Sequence, residues 1–213
     1  MAKLVSSKTI ETLHQRWTAF CQRLGAKNSD VVWEWIKSAY TEPDRYYHNL
    51  NHLEHCFQEL DAIPGLHLPE IELAIWFHDI VYQTRHSFEN EGLSYEVAIN
   101  AVGVLGLPNG YNGLLKTMIM ATGDHTRDIS DSYALMLDID LSILGQSPEV
   151  FQEYEKQIRQ EYGWVPLSLF NEQRVQILQN FLATPSIYKT EIMRDKYEAQ
   201  ARENLKASID KMV

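Results

Sequence analysis

A chain of 213 residues is long enough to bury a substantial core, and 45% hydrophobic with 23% charged residues is the balance of a globular protein, not of a disordered or membrane-embedded one. A formal net charge of −10 argues against broad attraction to a nucleic-acid duplex, because such binding relies on Lys and Arg neutralising phosphates. A small polyanionic ligand would have to be met by a local positive centre, either clustered arginines or a bound cation.

The opening MAKLVSSKTIETLHQRW lacks the charged-then-apolar layout of a secretory signal. No apolar run reaches the roughly 18 residues that cross a bilayer, so a cytoplasmic protein with no membrane partner is expected. Leu13, Trp17, Phe20 and Leu24 fall on one face of a first helix. Val32, Ile36 and Tyr40 continue the spacing in a second, after Gly25 and the turn-prone Lys27-Asn28-Ser29-Asp30. Cys21 and Cys56 belong to no CxxC motif and are expected as buried free thiols.

Thr41-Glu42-Pro43-Asp44 breaks the pattern, and Tyr47, Leu50, Leu53, Phe57 and Leu60 predict a third helix ending before Pro64-Gly65. A fourth opens at Pro69, with Glu70 in its first turn, and is apolar on most sides. That composition marks a central, buried helix, and it runs into His78-Asp79. Further helices are predicted at about 88–105, 112–122, 131–144, 148–162, 168–183 and 187–209, with breaks at Gly106 to Gly113, Gly123 and Pro185. No stretch alternates with period two, so the chain reads as all-α: one domain over 1–213, with a chemistry-bearing core at about 45–145 and a helical extension at about 148–213. Trp33, Trp35, Trp76 and Trp164 read as packing residues.

Three groups of residues carry chemistry. His78-Asp79 ends an otherwise apolar helix, where a buried polar pair without partners costs on the order of 2–7 kcal/mol. The string Tyr47-His48-Asn49-Leu50-Asn51-His52-Leu53-Glu54-His55 is read as helical, and a step of roughly 100° per residue then puts His48, His52 and His55 on one face. Asp138 and Asp140 are set into the apolar run Leu135 to Leu141 and point roughly 200° apart, so only one of them is expected to face a given ion.

The order His52, then His78-Asp79, then a late Asp140 resembles the H…HD…D signature of the HD superfamily of metal-dependent phosphohydrolases. The strings RYYHNLNHLEH, AIWFHDIVYQ, ENEGLS, ATGDH, LDIDLSILG, IRQEY and EAQARENL are similar to a bacterial subgroup of predicted HD phosphohydrolases, over about Arg45 to Leu205. The resemblance implies an HD-type helical bundle with additional N- and C-terminal helices, holding one divalent cation through His52, His78, Asp79 and Asp140. It prefers Asp140 to Asp138 and His52 to His48. Two imidazoles and two carboxylates suit Mn, Fe, Co, Ni or Zn better than Mg.

The implied activity is that of a phosphomonoesterase or phosphodiesterase acting on a small phosphate ester such as a nucleotide, through a water activated by the metal. Around the centre, Glu91 is the candidate general acid or base, and Asn90 the candidate for orienting substrate or water. His48, His125 and Arg45 are the candidate substrate contacts, Arg45 because a guanidinium offers paired donors to phosphate. The alternative is a non-catalytic sensor that binds a metal or nucleotide in the same pocket, and a homodimer is compatible with either.

Overall fold

The computed structural model describes residues 5–63, 68–85, 89–124 and 131–212, and among these every regular element is helical. Among the described residues there are ten α-helices and a 3-10 turn at Leu141–Gly145, with no strand, as the spacing of apolar residues by threes and fours requires. None of the described helices is long and apolar enough to cross a membrane. The chain divides into two compact units, residues 1–124 and 125–213.

The first unit holds α1 (Ser7–Leu24), α2 (Ser29–Ala39), α3 (Leu50–Asp61), α4 (Pro69–Phe77), α5 (Asn90–Val104) and α6 (Tyr111–Thr122). Ser6 caps α1 by accepting from the Thr9 N–H, and Gly25 closes it at φ +62°, a backbone conformation that costs glycine little. Every residue of α4 from Ile71 to Phe77 is buried. A helix with no polar face must be covered on all sides, and α3, α5 and α6 pack against it. Trp76 is the hub of the packing, with ring centroids of Phe57, Trp17 and Trp33 at 4.5, 5.3 and 6.3 Å.

A charge from α4 itself enters this core. The buried Glu72 carboxylate meets Arg23 Nη2 at 2.6 Å and Arg16 Nη2 at 3.8 Å. Arg16 also grips Asp61 through both terminal nitrogens, at 2.7 and 2.8 Å, with its guanidinium over the Phe57 ring. The network ties α1 to α3 and α4 while keeping the acid partnered.

The second unit holds α7 (Asp131–Asp140), a 3-10 turn (Leu141–Gly145), α8 (Pro148–Glu161), α9 (Leu167–Ala183) and α10 (Glu191–Met212). The expected helix 131–144 therefore stops as α-helix at Asp140 and tightens. The reason is close packing against α10, since a Cβ on Gly145 would lie 2.5 Å from Tyr197 Cβ. The buried Asn204 of α10 completes the turn by donating to the Leu144 and Gln146 carbonyls, both at 2.8 Å. Trp164 departs from its expected packing role and is 48% exposed.

Glu198 of α10 accepts from the backbone N–H groups of Ile187 and Tyr188, from the Ser186 hydroxyl and from Arg202 Nε. Burial alone would push its carboxyl up, but these donors outweigh it and hold the group below the ordinary range. The stabilisation is then fully present above the unfolded-state value, roughly 4.3, and is lost as pH falls through the depressed folded value. Glu198→Gln is expected to lower unfolding stability by about 1 kcal/mol at neutral pH, after allowance for solvent screening. In urea titrations at several pH values the gap to wild type should close below about pH 4; a gap independent of pH would refute the assignment.

Candidate metal centre

His52 is delivered by the first turn of α3 and His78 by the C-terminal end of α4. Both side chains are fully buried, and their Nε2 atoms stand 3.0 Å apart. His78 Nδ1 lies 3.0 Å from the Ile75 carbonyl oxygen, one turn back on α4. Only a protonated nitrogen bonds favourably to a carbonyl, so Nδ1 donates and Nε2 presents its lone pair. Asp79 completes the corner, with Oδ2 at 3.1 Å from His78 Nε2 and 3.6 Å from His52 Nε2.

One donor atom from each of His52, His78, Asp79 and Asp140 lies within 4.8 Å of the others. Donors about 2.1 Å from an ion stand roughly 3 Å apart at right angles and roughly 4.2 Å apart when opposed, and the separations of 3.0, 3.1 and 3.6 Å among His52, His78 and Asp79 fall in that range. The burial pattern suits such an ion too: the imidazoles are enclosed, while the two carboxylates keep partial exposure.

Asp138 lies elsewhere, as the helical angle between the two aspartates requires. It has no exposure and accepts from the Lys189 N–H at 2.8 Å, the Thr190 N–H at 2.7 Å and the Thr190 hydroxyl at 2.6 Å. Burial still raises its carboxyl above the ordinary value despite these three donors. It secures the approach to α10.

The arrival of His48 differs from expectation. Helix α3 begins at Leu50, because Asn49 takes the N-cap, accepting from the Asn51 N–H at 2.8 Å and donating to the Tyr46 carbonyl at 2.9 Å. His48 therefore precedes the helix and shares no helical face with His52. It nevertheless comes within 4.0 Å of Asp79 Oδ2, stacked on the Tyr82 ring at 3.8 Å between centroids.

Arg45 also differs. Its side chain is only 3% exposed. Its Nη1 donates to the Asp79 carbonyl at 2.6 Å and the His48 carbonyl at 3.3 Å, Nη2 to the Ile80 carbonyl at 2.8 Å, and Nε to Glu42 at 2.9 Å. These contacts place it as the strut beneath the His78-Asp79 corner, not as the expected phosphate contact.

Asn90 takes a similar role: its amide accepts from the Gln83 N–H at 3.0 Å and donates to the Gln83 carbonyl at 3.3 Å, in place of orienting substrate or water. Ser94, one turn on, does the same for Val81 at 3.1 and 3.2 Å. Glu91 sits half-buried in the first turn of α5, its carboxylate packed so closely on Gly123 that a Cβ there would lie 2.8 Å from Glu91 Cδ. His125 lies outside the described residues.

Two supports had no sequence signal as parts of a site. The Tyr40 hydroxyl, at the end of α2, accepts from the Asp79 N–H at 3.2 Å. Burial first and the Asp79 carboxylate second push that hydroxyl well above its ordinary value, so it stays protonated. Cys56 Sγ stands 3.8 Å from His52 Nδ1, one turn along α3, and both cysteines are buried free thiols.

Fold and site together define an all-helical protein with a His/Asp cluster suited to a metal ion. No protein-family model, curated protein or solved structure matches the chain.

Two outcomes follow from these geometries. Arg45→Met keeps the length of the side chain but leaves the Asp79 and Ile80 carbonyls unpaired. It should cost about 2–4 kcal/mol of stability and weaken Co(II) binding, read by absorbance titration, by about tenfold; wild-type affinity in the variant would remove the strut role. Asp138→Ala should cost about 2–4 kcal/mol in urea unfolding, because two backbone N–H groups lose their acceptor, and should still bind Co(II). Loss of the ion with unchanged stability would exchange the roles of Asp138 and Asp140.

Proposed function

We propose that this protein is a metal-dependent phosphohydrolase of the HD superfamily, holding one divalent ion through His52, His78, Asp79 and Asp140 and hydrolysing a small phosphate ester. The observation that carries the reading is the pair of enclosed imidazoles with their Nε2 atoms 3.0 Å apart, next to a carboxylate oxygen at 3.1 Å. A bound Mn, Fe, Co, Ni or Zn ion supplies Lewis acidity toward a phosphoryl oxygen and lowers the pKa of a water.

The remaining work falls to the chain's own groups. His48, 4.0 Å from Asp79 Oδ2 and with 16% of its side chain exposed, is assigned to the substrate phosphate as a donor at the edge of the centre. Glu91, partly exposed on α5, is assigned to proton transfer. Arg45, Asn90, Ser94 and Tyr40 fix the backbone from Asp79 to Gln83, so the reacting groups need little reorganisation.

The test is to strip the protein, reload it with Mn or Co, and assay a panel of phosphate esters with metal content measured in parallel. Turnover of at least one ester is expected with about one ion per chain, and His78→Ala should lose roughly 100-fold or more of both activity and affinity for the ion. Turnover persisting in His78→Ala would sink the assignment. A nucleotide held tightly and recovered unchanged with metal present, with no ester hydrolysed, would assign the pocket to ligand sensing.

A further inference from the structure

Helix α9 differs from its neighbours in what it shows to solvent. It carries two charged residues in 17, Glu172 and Arg174, where α8 carries six in 14. Arg174 is buried with Phe170 and Leu178 on the inward side, and its guanidinium is engaged by Glu155 at 3.2 Å and by the Tyr154 hydroxyl at 2.9 Å, both on α8. The outward side is left almost without charge. A step of roughly 100° per residue places Leu169, Gln173, Gln176, Ile177 and Asn180 within one stripe about 100° wide, and all five are exposed.

Leu169 and Ile177 are 43% and 45% exposed, and Trp164 and Leu167, at 48% and 60%, add apolar surface at the start of the helix. Four large apolar side chains about half exposed offer on the order of 400 Å², and the amides between them bring the patch toward the roughly 800 Å² per partner of a standard interface. The patch is rigid where it begins. Arg159 of α8 donates to the Tyr162 and Val165 carbonyls at 2.6 and 2.9 Å and covers the Phe170 ring at 4.8 Å, so the turn into α9 is fixed before anything binds.

The composition of the stripe selects its occupant. Two copies related by a two-fold axis bring the same patch against itself, so a charged residue near the axis meets its own kind. A chain of net charge −10 associates with itself most readily through a face that lacks such residues. Three amides suit that face, since Gln and Asn both donate and accept and can pair with their own copies. A basic partner would find a single carboxylate, Glu172, and an anionic membrane would find no exposed Lys or Arg on the helix. We propose that α9 is the contact through which two copies of this chain associate, by antiparallel pairing of the stripe from Leu169 to Asn180 about a two-fold axis. The axis passes close to Gln173 and Gln176, in the middle of the stripe. The dimer is independent of the hydrolase reading.

The experiment is sedimentation velocity on the full-length protein from about 1 to about 100 μM. A mass rising from 24.7 kDa toward twice that value is expected. A monomer across the whole range overturns the proposal.

Two charge variants then locate the contact. Gln173→Glu with Gln176→Glu should weaken association about tenfold or more, and so should Gln173→Lys with Gln176→Lys, because each sets like charges across the axis. An equimolar mixture of the two variants should recover the association, since opposite charges then face each other. Urea unfolding separates a lost contact from a lost fold: at these exposed positions the midpoint should match that of wild type. Should a double variant fail that control, the single pair Gln173→Glu and Gln173→Lys carries the same test. A dimer that survives both variants, or a mixture that stays monomeric, overturns the pairing.

Discussion

The Nε2 atoms of His52 and His78 stand 3.0 Å apart in a dry interior, a contact that needs a proton or an ion between the two rings. The rest of the first unit is organised around that constraint. Apart from Glu72, which Arg16 and Arg23 meet, α4 is apolar from Ile71 to Phe77, and at its end His78 is tied by Nδ1 to the Ile75 carbonyl and left with Nε2 facing His52. A cation shared by both rings would meet that need, and the adjacent Asp79 carboxylate supplies charge that favours it.

Holding this geometry falls to residues that never face the ion. The chain turns away from α4 immediately after Asp79, and a free backbone there would leave buried carbonyls without donors. Arg45 answers Asp79 and Ile80, Tyr40 answers the Asp79 N–H, and Ser94 and Asn90 pin Val81 and Gln83. Four side chains from three stretches of sequence thus fix four of the five residues 79–83. The same division of labour separates the aspartates of α7, where Asp138 serves the backbone before α10 and Asp140 joins the metal-ligand group.

His78-Asp79 and the aspartates of α7 were legible because they break apolar runs, where an ionisable residue needs a strong partner, whereas His52 was set apart from His48, and Asp140 from Asp138, only by the resemblance. Helix α4 was legible for the same reason, and Pro69 marked its start. The start of α3 was misplaced because Tyr47 and Leu50 fit the helical period, while the competing signal, Asn49 as a cap, depends on a local backbone turn that periodicity does not register. The supporting contacts of Arg45 and Asn90 went unread for a different reason. Their acceptors are main-chain carbonyls, in the case of Arg45 34 and 35 residues away, and a carbonyl has no letter in the sequence. Chemistry was readable where residue types carry it, and support was hidden where the backbone receives it.

Electrostatics orders the events at this corner under the proposed function. The chain carries a net charge of −10, the α4 C-terminus turns the negative end of its dipole toward His78 and Asp79, and two carboxylates belong to the ligand group. The buried cation beside it, Arg45, has its guanidinium engaged by carbonyls and Glu42. Such a corner attracts a divalent ion and, without one, repels a phosphate. The ion therefore has to arrive first, and its charge turns a site that rejects anions into one that accepts a phosphoryl group. Under that reading a phosphate ester is oriented by charge, with its anionic end at the ion.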